Sequence, residues 1–240
     1  MLLKEQYTFE VRSSSFTKEN KLQSENILYW FQEAASQHSE QFHIGFHDLI
    51  KDNIIWMVAR NKYEILSDFP KNKKAIIETW PHPYSRFEIE RDYLLKDEEG
   101  KVYIKGTSLW CLYSKEKQRL MPTKCAEIEG AEYCLEKNFD EPFLRIAITE
   151  SDAFETCFQH TINVEDVDRN GHMNNCRYSH LVDLALLEDE KEIQRFEINY
   201  VMQCYEHEEL VIKKYRKEKE IFVLGEKKEG IVFITRILLR

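Results

Sequence analysis

One pattern, met twice, limits what these 240 residues can fold into: a stretch of helix-spaced apolar residues followed by several strand-like segments. From Ser24 to Phe42, the residues Ile27, Leu28, Phe31, Ala34, Ala35, His38 and Phe42 recur at helical spacing, and Ser24 is placed to cap the helix. Strand-like runs follow at Ile54–Leu66, Ala75–Trp80, Phe87–Lys96 and Lys101–Tyr113, rich in β-branched and aromatic residues. Asp97-Glu98-Glu99-Gly100 reads as a hairpin turn between the last two.

The second half repeats the plan. A strand at Thr156–Asn163 leads through a loop into a helix from about Asn174 to Glu188, with Tyr178, Leu181, Val182, Leu184 and Ala185 on its apolar face. Strands follow near Phe196–Gln203, Leu210–Tyr215, Glu220–Leu224 and Ile231–Leu239. Glu99-Gly100-Lys-Val-Tyr-Ile and Glu229-Gly230-Ile-Val-Phe-Ile fall at the same point of the two patterns. A helix with one apolar stripe needs a sheet to bury it, and an antiparallel sheet can wrap around one helix. The expected class is α+β: two units, each a long helix wrapped by an antiparallel sheet. The first spans residues 1–135 and the second residues 136–240, and Thr123–Arg145 is the connecting segment.

Composition narrows the function classes. The formal net charge of −9 argues against nucleic-acid binding. The chain turns polar at Lys4-Glu5-Gln6, without the apolar core of a signal peptide, and no run is long enough to span a membrane. The six cysteines show no paired CxxC spacing, so reduced thiols in the cytoplasm are expected rather than zinc or disulfides. Two basic runs stand out, Lys71-Asn72-Lys73-Lys74 and Lys213-Lys214-Tyr215-Arg216-Lys217. Each reads as a solvated strand end or as a docking patch for an acidic partner.

The chemistry gathers at Asp168-Arg169-Asn170-Gly171-His172. In an extended segment the period of two puts Asp168, Asn170 and His172 on one face. Gly171 permits a sharp backbone change, and Asn174 or Asn175 can cap the helix that follows. The N–H groups at that helix start suit a developing oxyanion. A base, an amide, an orienting carboxylate and an oxyanion site are what acyl transfer needs, and the same residues are also what a polar turn with a cap uses.

The segment Val167-Asp168-Arg169-Asn170-Gly171-His172-Met173-Asn174-Asn175-Cys176-Arg177-Tyr178 closely resembles the signature of the plant and bacterial acyl-ACP thioesterases. Asn53-Ile-Ile-Trp56-Met-Val-Ala-Arg60, Glu78-Thr79-Trp80, Arg91-Asp92-Tyr93 and Ser108-Leu109-Trp110 are similar to that family in order and spacing. So is Gln32-Glu33-Ala34-Ala35 on the first helix, and the resemblance runs from about Phe9 to the end. It implies a tandem (double) hot-dog fold without a cofactor or metal. The implied reaction is hydrolysis of fatty acyl thioesters on acyl carrier protein. Asp168, Asn170 and His172 take the catalytic places, and Asn174 and Asn175 are the substrate-binding candidates. The C-terminal unit would carry catalysis and the N-terminal unit would shape the acyl pocket. Whether such chains associate further into a homodimer stays open.

The chain departs from the family pattern on the strand after the second helix. There Gln203 stands where the family has Glu, and Cys204 where it often has Cys. Glutamine cannot serve as a base. Two mechanisms remain. In one, His172 activates a water, Asp168 orients or charges the imidazole, Gln203 positions the water, and Asn170 with backbone amides binds the carbonyl oxygen. In the other, Cys204 is the nucleophile, completed by His172 and Asn170. Two further functions are kept beside the first: a hot-dog acyl-CoA thioesterase, and an acyl-binding protein without turnover. His38, His43 and His47 do not share a helical face and are not read as metal ligands; His160 belongs to a strand. Trp30, Trp56, Trp80 and Trp110 are read as core or pocket lining.

Overall fold

The structure, a computed structural model, describes residues 2–149, 152–187, 189 and 192–240. It divides into two compact units, Met1–Leu22 with Tyr29–Phe143 and Gln23–Leu28 with Leu144–Arg240. The boundary read from sequence, at 135/136, falls inside the first unit.

The first unit contains β1 (Glu5–Phe9), most of α1 (Ser24–Gln41), the one-turn helix α2 (Phe46–Leu49), and the strands β2 (Ile54–Ile65), β3 (Ala75–Pro81), β4 (Ile89–Lys96), β5 (Val102–Ser114) and β6 (Arg119–Met121). The strands form an antiparallel sheet in the order β1-β3-β4-β5-β2, with β6 paired to β5. The second unit contains β7 (Glu155–Thr161), α3 (Asn175–Ala185), β8 (Ile193–Tyr200), β9 (Glu209–Lys217), β10 (Glu220–Lys227) and β11 (Gly230–Leu239). Its antiparallel order is β7-β9-β10-β11-β8. Each strand of the second unit holds the place of its counterpart in the first, so the sequence repeat is a repeat of topology. Glu99-Gly100 and Glu229-Gly230 sit at the same hairpin in both, and both glycines adopt positive φ, 83° and 134°. The Asp97 side chain builds the first of these turns by accepting from the amides of Glu99 and Lys101 at 3.0 Å each.

The helical periodicity of α1 is realised as burial. Ile27, Leu28, Phe31, Ala34, Ala35 and His38 are all buried. Phe31 stacks on Tyr93 of β4 with ring centroids 4.5 Å apart. Helix and sheet come this close because β5 carries Gly106, where a Cβ would lie 2.3 Å from the Phe31 ring. In the second unit Tyr178 of α3 packs against Phe233 at 5.2 Å, beside Leu181, Val182 and Ala185 in the core. Leu184, expected on that buried face, is 39% exposed. The helix ends at Ala185, and the expected last residue, Glu188, lies outside the described residues.

Ser24 does not cap α1 in the expected way. The amides of Asn26 and Ile27 reach back to the Gln23 carbonyl, so Ser24 is the first helical residue. Its own amide and hydroxyl donate to the Asp183 carboxylate of α3 at 2.8 and 2.6 Å. A carboxylate from a second helix therefore satisfies this N-terminus and its dipole. Burial pushes the Asp183 carboxyl up to about 6, against the Ser24 donors that favour its charged form.

The connecting segment is tied to the first unit by side-chain hydrogen bonds. Trp80 Nε1 donates to the Glu136 carbonyl at 2.9 Å, Lys62 Nζ to the Glu141 carbonyl at 2.8 Å, and Arg60 to that of Phe143 at 3.1 Å. Among the described residues, no helix is long and apolar enough to cross a membrane.

Candidate active site

The site candidates all belong to the second unit, where the chain passes from β7 into α3. An antiparallel bridge between Val167 and Met173 closes the stretch between them into a tight turn. The Asp168 amide donates to the His172 carbonyl and the Gly171 amide to the Asp168 carbonyl, both at 3.0 Å. Gly171 has a φ of 85°, which a residue with a Cβ rarely adopts.

This corrects the extended strip expected from the period of two. Asp168, Asn170 and His172 are brought together by a turn, and the pairings differ. Both Asp168 oxygens are given to Asn170: Oδ1 accepts its amide at 2.7 Å and Oδ2 its Nδ2 at 3.3 Å. An aspartate capping the amide two residues on is what local side-chain hydrogen bonding favours here. The Asp168 carboxylate therefore orients Asn170 and makes no hydrogen bond to the His172 ring. The imidazole bonds a backbone carbonyl instead, with Nδ1 against Met173 O at 3.3 Å. An acceptor at Nδ1 puts the ring proton there and leaves Nε2 with its lone pair. Asn170 Oδ1 is buried and has no hydrogen-bond partner among the described residues. Nδ2 gives one of its two N–H groups to Asp168, and the open oxygen is an acceptor.

Of the two asparagines at the helix entrance, Asn174 is the cap. Its Oδ1 accepts the Cys176 amide, and its carbonyl accepts that of Arg177, each at 2.9 Å. These two first-turn amides, expected to face an oxyanion, are thus held by the cap. Asn175 is the first helical residue and is partly buried.

Gln203 and Cys204 fall on a loop, because β8 ends at Tyr200. The loop still reaches the turn: the Met173 amide donates to the Cys204 carbonyl at 2.8 Å. Gln203 is exposed and its Oε1 accepts from the Tyr205 hydroxyl at 3.1 Å. Its carbonyl accepts from Lys227 Nζ at 3.1 Å. Cys204 is fully buried beside the Tyr178 phenol. Burial pushes its thiol up, only partly relieved by Tyr178 and the charge of Lys227. A buried thiol held in its protonated form is a poor nucleophile.

The other polar residues singled out in the sequence have separate partners. His38 is buried and accepts from Arg91 at 2.8 Å, while His43 and His47 meet Asp48 and Glu40 at 3.3 and 2.9 Å. Among the described residues no group of three or more His, Cys, Asp or Glu is placed to hold a metal ion. The basic run on β9 is ion-paired, Lys213 with Glu226 and both Lys214 and Arg216 with Asp189, so two carboxylates offset two of its four positive charges. All six cysteines are free. Trp30 and Trp80 are buried, and Trp56 donates to the Ile44 carbonyl at 2.8 Å.

Two helix-and-sheet units of one topology, the second with a polar turn at the entrance to its helix, define a tandem hot-dog protein. The chain belongs to the acyl-ACP thioesterase family: residues 2–127 match the model of the acyl-ACP thioesterase N-terminal domain and residues 149–230 that of the C-terminal domain. The chloroplastic palmitoyl-acyl carrier protein thioesterase of Gossypium hirsutum is 25% identical over 183 residues, 71% of this chain and 44% of that protein. The chloroplastic oleoyl-acyl carrier protein thioesterase 1 of Arabidopsis thaliana is 26% identical over 219 residues, 82% of this chain and 59% of that protein. The chain thus spans about half the length of these curated relatives. A crystal structure of an acyl-ACP thioesterase from Bacteroides thetaiotaomicron shares the fold, with a TM-score of 0.87 at 23% identity over 99% of this chain and 98% of that one.

Proposed function

We propose that this protein hydrolyses the thioester of fatty acyl-ACP to free fatty acid and ACP, with His172 as general base. The observation that carries the mechanism is the contact between His172 Nδ1 and Met173 O, which leaves Nε2 as the basic atom. A water takes the open acceptor Asn170 Oδ1 as its orienting partner and loses a proton to His172 Nε2 as its oxygen attacks the thioester carbonyl. The carbon–sulfur bond then breaks, and the imidazolium returns the proton to the departing thiolate. Asp168 keeps the Asn170 amide in place from both of its oxygens. The raised thiol of Cys204 favours direct water attack over a covalent route.

On this reading the second unit carries catalysis, residues 168–175 with the loop at 203–204, and the first unit shapes the acyl-binding pocket. The free state of all six cysteines suits work in a reducing compartment such as the cytoplasm. Gln203, exposed and bonded to Tyr205, supplies no base and favours a second reading, an acyl-binding protein without turnover. Incubation with a panel of acyl-ACPs and analysis of released fatty acid decides between them. The proposal expects multiple turnovers that His172→Ala abolishes. Stoichiometric binding without product would establish the second reading.

A further inference from the structure

Asp166 is almost fully buried, at 1% exposure, yet it is charged and lies two residues before Asp168. Its Oδ2 accepts from the Asn163 amide at 3.0 Å and from His160 Nε2 at 2.8 Å, where the chain leaves β7. Its Oδ1 accepts from Arg177 Nε at 3.1 Å, on the first turn of α3. Its backbone carbonyl accepts the amide of Asn174, the cap of that helix, at 2.9 Å. Arg177 continues outward to Glu25 at 2.7 Å. Burial raises the carboxyl, but the donors from Asn163, His160 and Arg177 outweigh it and hold Asp166 below the ordinary carboxylate range.

The catalytic turn lies between these attachments. Its internal bonds, from Asp168 to Asn170, Gly171 and His172, fix its shape but not its place in the unit. The Met173 amide on Cys204 and the set of bonds to Asp166 tie the turn to the rest of the unit. A carboxylate is required there, because every group facing it is a donor. An amide in its place would present an N–H to one of them and would leave the Arg177 charge without half of its neutralisation.

We propose that Asp166 is a positioning residue for this reaction, holding the entry and exit of the turn that carries Asp168, Asn170 and His172. This rests on the reading of His172 as the base in acyl-ACP hydrolysis. Asp166 touches no reacting atom, so its effect falls on the geometry of attack rather than on substrate binding.

The test is steady-state hydrolysis of acyl-ACP by wild type, Asp166→Asn, Asp166→Glu and Arg177→Met, with thermal unfolding and the His172 ring resonances recorded for each. Asp166→Asn should lower kcat by roughly 10- to 100-fold while KM stays within about twofold, the signature of a displaced catalytic group. Asp166→Glu, which restores the charge, should recover part of that loss. Arg177→Met removes one anchor and leaves the carboxylate, so it should lower kcat less; it stands in should Asp166→Asn fail to fold. An unchanged kcat in a folded Asp166→Asn or Arg177→Met would overturn the proposal, as would a fall in kcat matched only by lost folded protein. If wild type itself releases no fatty acid, the functional reading fails by that result alone. The His172 resonances then still decide the placement of the turn: shifted in Asp166→Asn they support it, and unshifted they refute it.

Discussion

The amide of Met173 donates to the carbonyl of Cys204 at 2.8 Å, which seats the loop after β8 against the turn that carries His172. The contribution of Cys204 to the site is therefore made through its backbone, while its thiol is buried and held protonated. Cys204→Ala keeps that backbone bond. It should retain hydrolase activity within about threefold of wild type, as expected where a cysteine packs and does not react. His172→Ala should lose about 100-fold or more, the usual contribution of a general base. The pair of rate measurements separates water attack from a covalent route, and inactivity of a folded Cys204→Ala would restore the latter.

Asp168 bonds Asn170 and leaves the imidazole alone. Asp168→Asn should lower kcat by about 10- to 100-fold through loss of Asn170 orientation. KM should stay within about twofold, and an unchanged kcat would mean that the bonds from Asp168 to Asn170 do not set the geometry of attack.

Much of this was legible in the sequence, and the failures are local. The repeat could be read because Ile27, Phe31, Ala34 and His38 keep helical spacing and the strands keep their β-branched residues, all of which tertiary packing rewards. The residue types at Asp168, Asn170 and His172 are plain in the sequence, but their pairing is not. Alternation implies a shared face only in an extended chain, and Asp168 instead captures the amide two residues on while Gly171 turns left-handed. The strand expected through Gln203 ends at Tyr200, since the next residues carry Cys204 O to Met173 rather than continuing a ladder. The strands β1 and β6 and the helix α2 span too few residues to show a period. Asp166 had no signal to set it apart from Asp168; its importance comes from donors that are distant in sequence, His160 and Arg177.

His38 makes stability depend on pH. Burial, and then the neighbouring Arg91 charge, push its imidazole down to about 3. Below an unfolded value near 6.5 the unfolded chain takes up a proton that the folded one refuses, so stability falls as pH drops from about 6.5 toward 3, by as much as about 4 kcal/mol. His38→Gln should flatten the unfolding temperature across that window. An equal acid sensitivity in both proteins would remove His38 as the cause.

Gly106 sets the approach of α1 to the first sheet. A methyl group there meets the Phe31 ring at 2.3 Å. Gly106→Ala should cost about 1–3 kcal/mol through overpacking and lower the unfolding temperature accordingly. A second change, Phe31→Leu, should recover part of the loss by opening the space. Unchanged stability in Gly106→Ala would show that the ring moves freely.

Hydrolysis at the second unit's turn is proposed to act on an acyl thioester carried by ACP. The most direct measurement is kcat/KM for one acyl chain presented on ACP and on CoA, with wild type and His172→Ala side by side. Clear preference for the ACP thioester and loss of both activities in His172→Ala are expected. Faster turnover of the CoA thioester would contradict the substrate, and full activity in His172→Ala would contradict the mechanism.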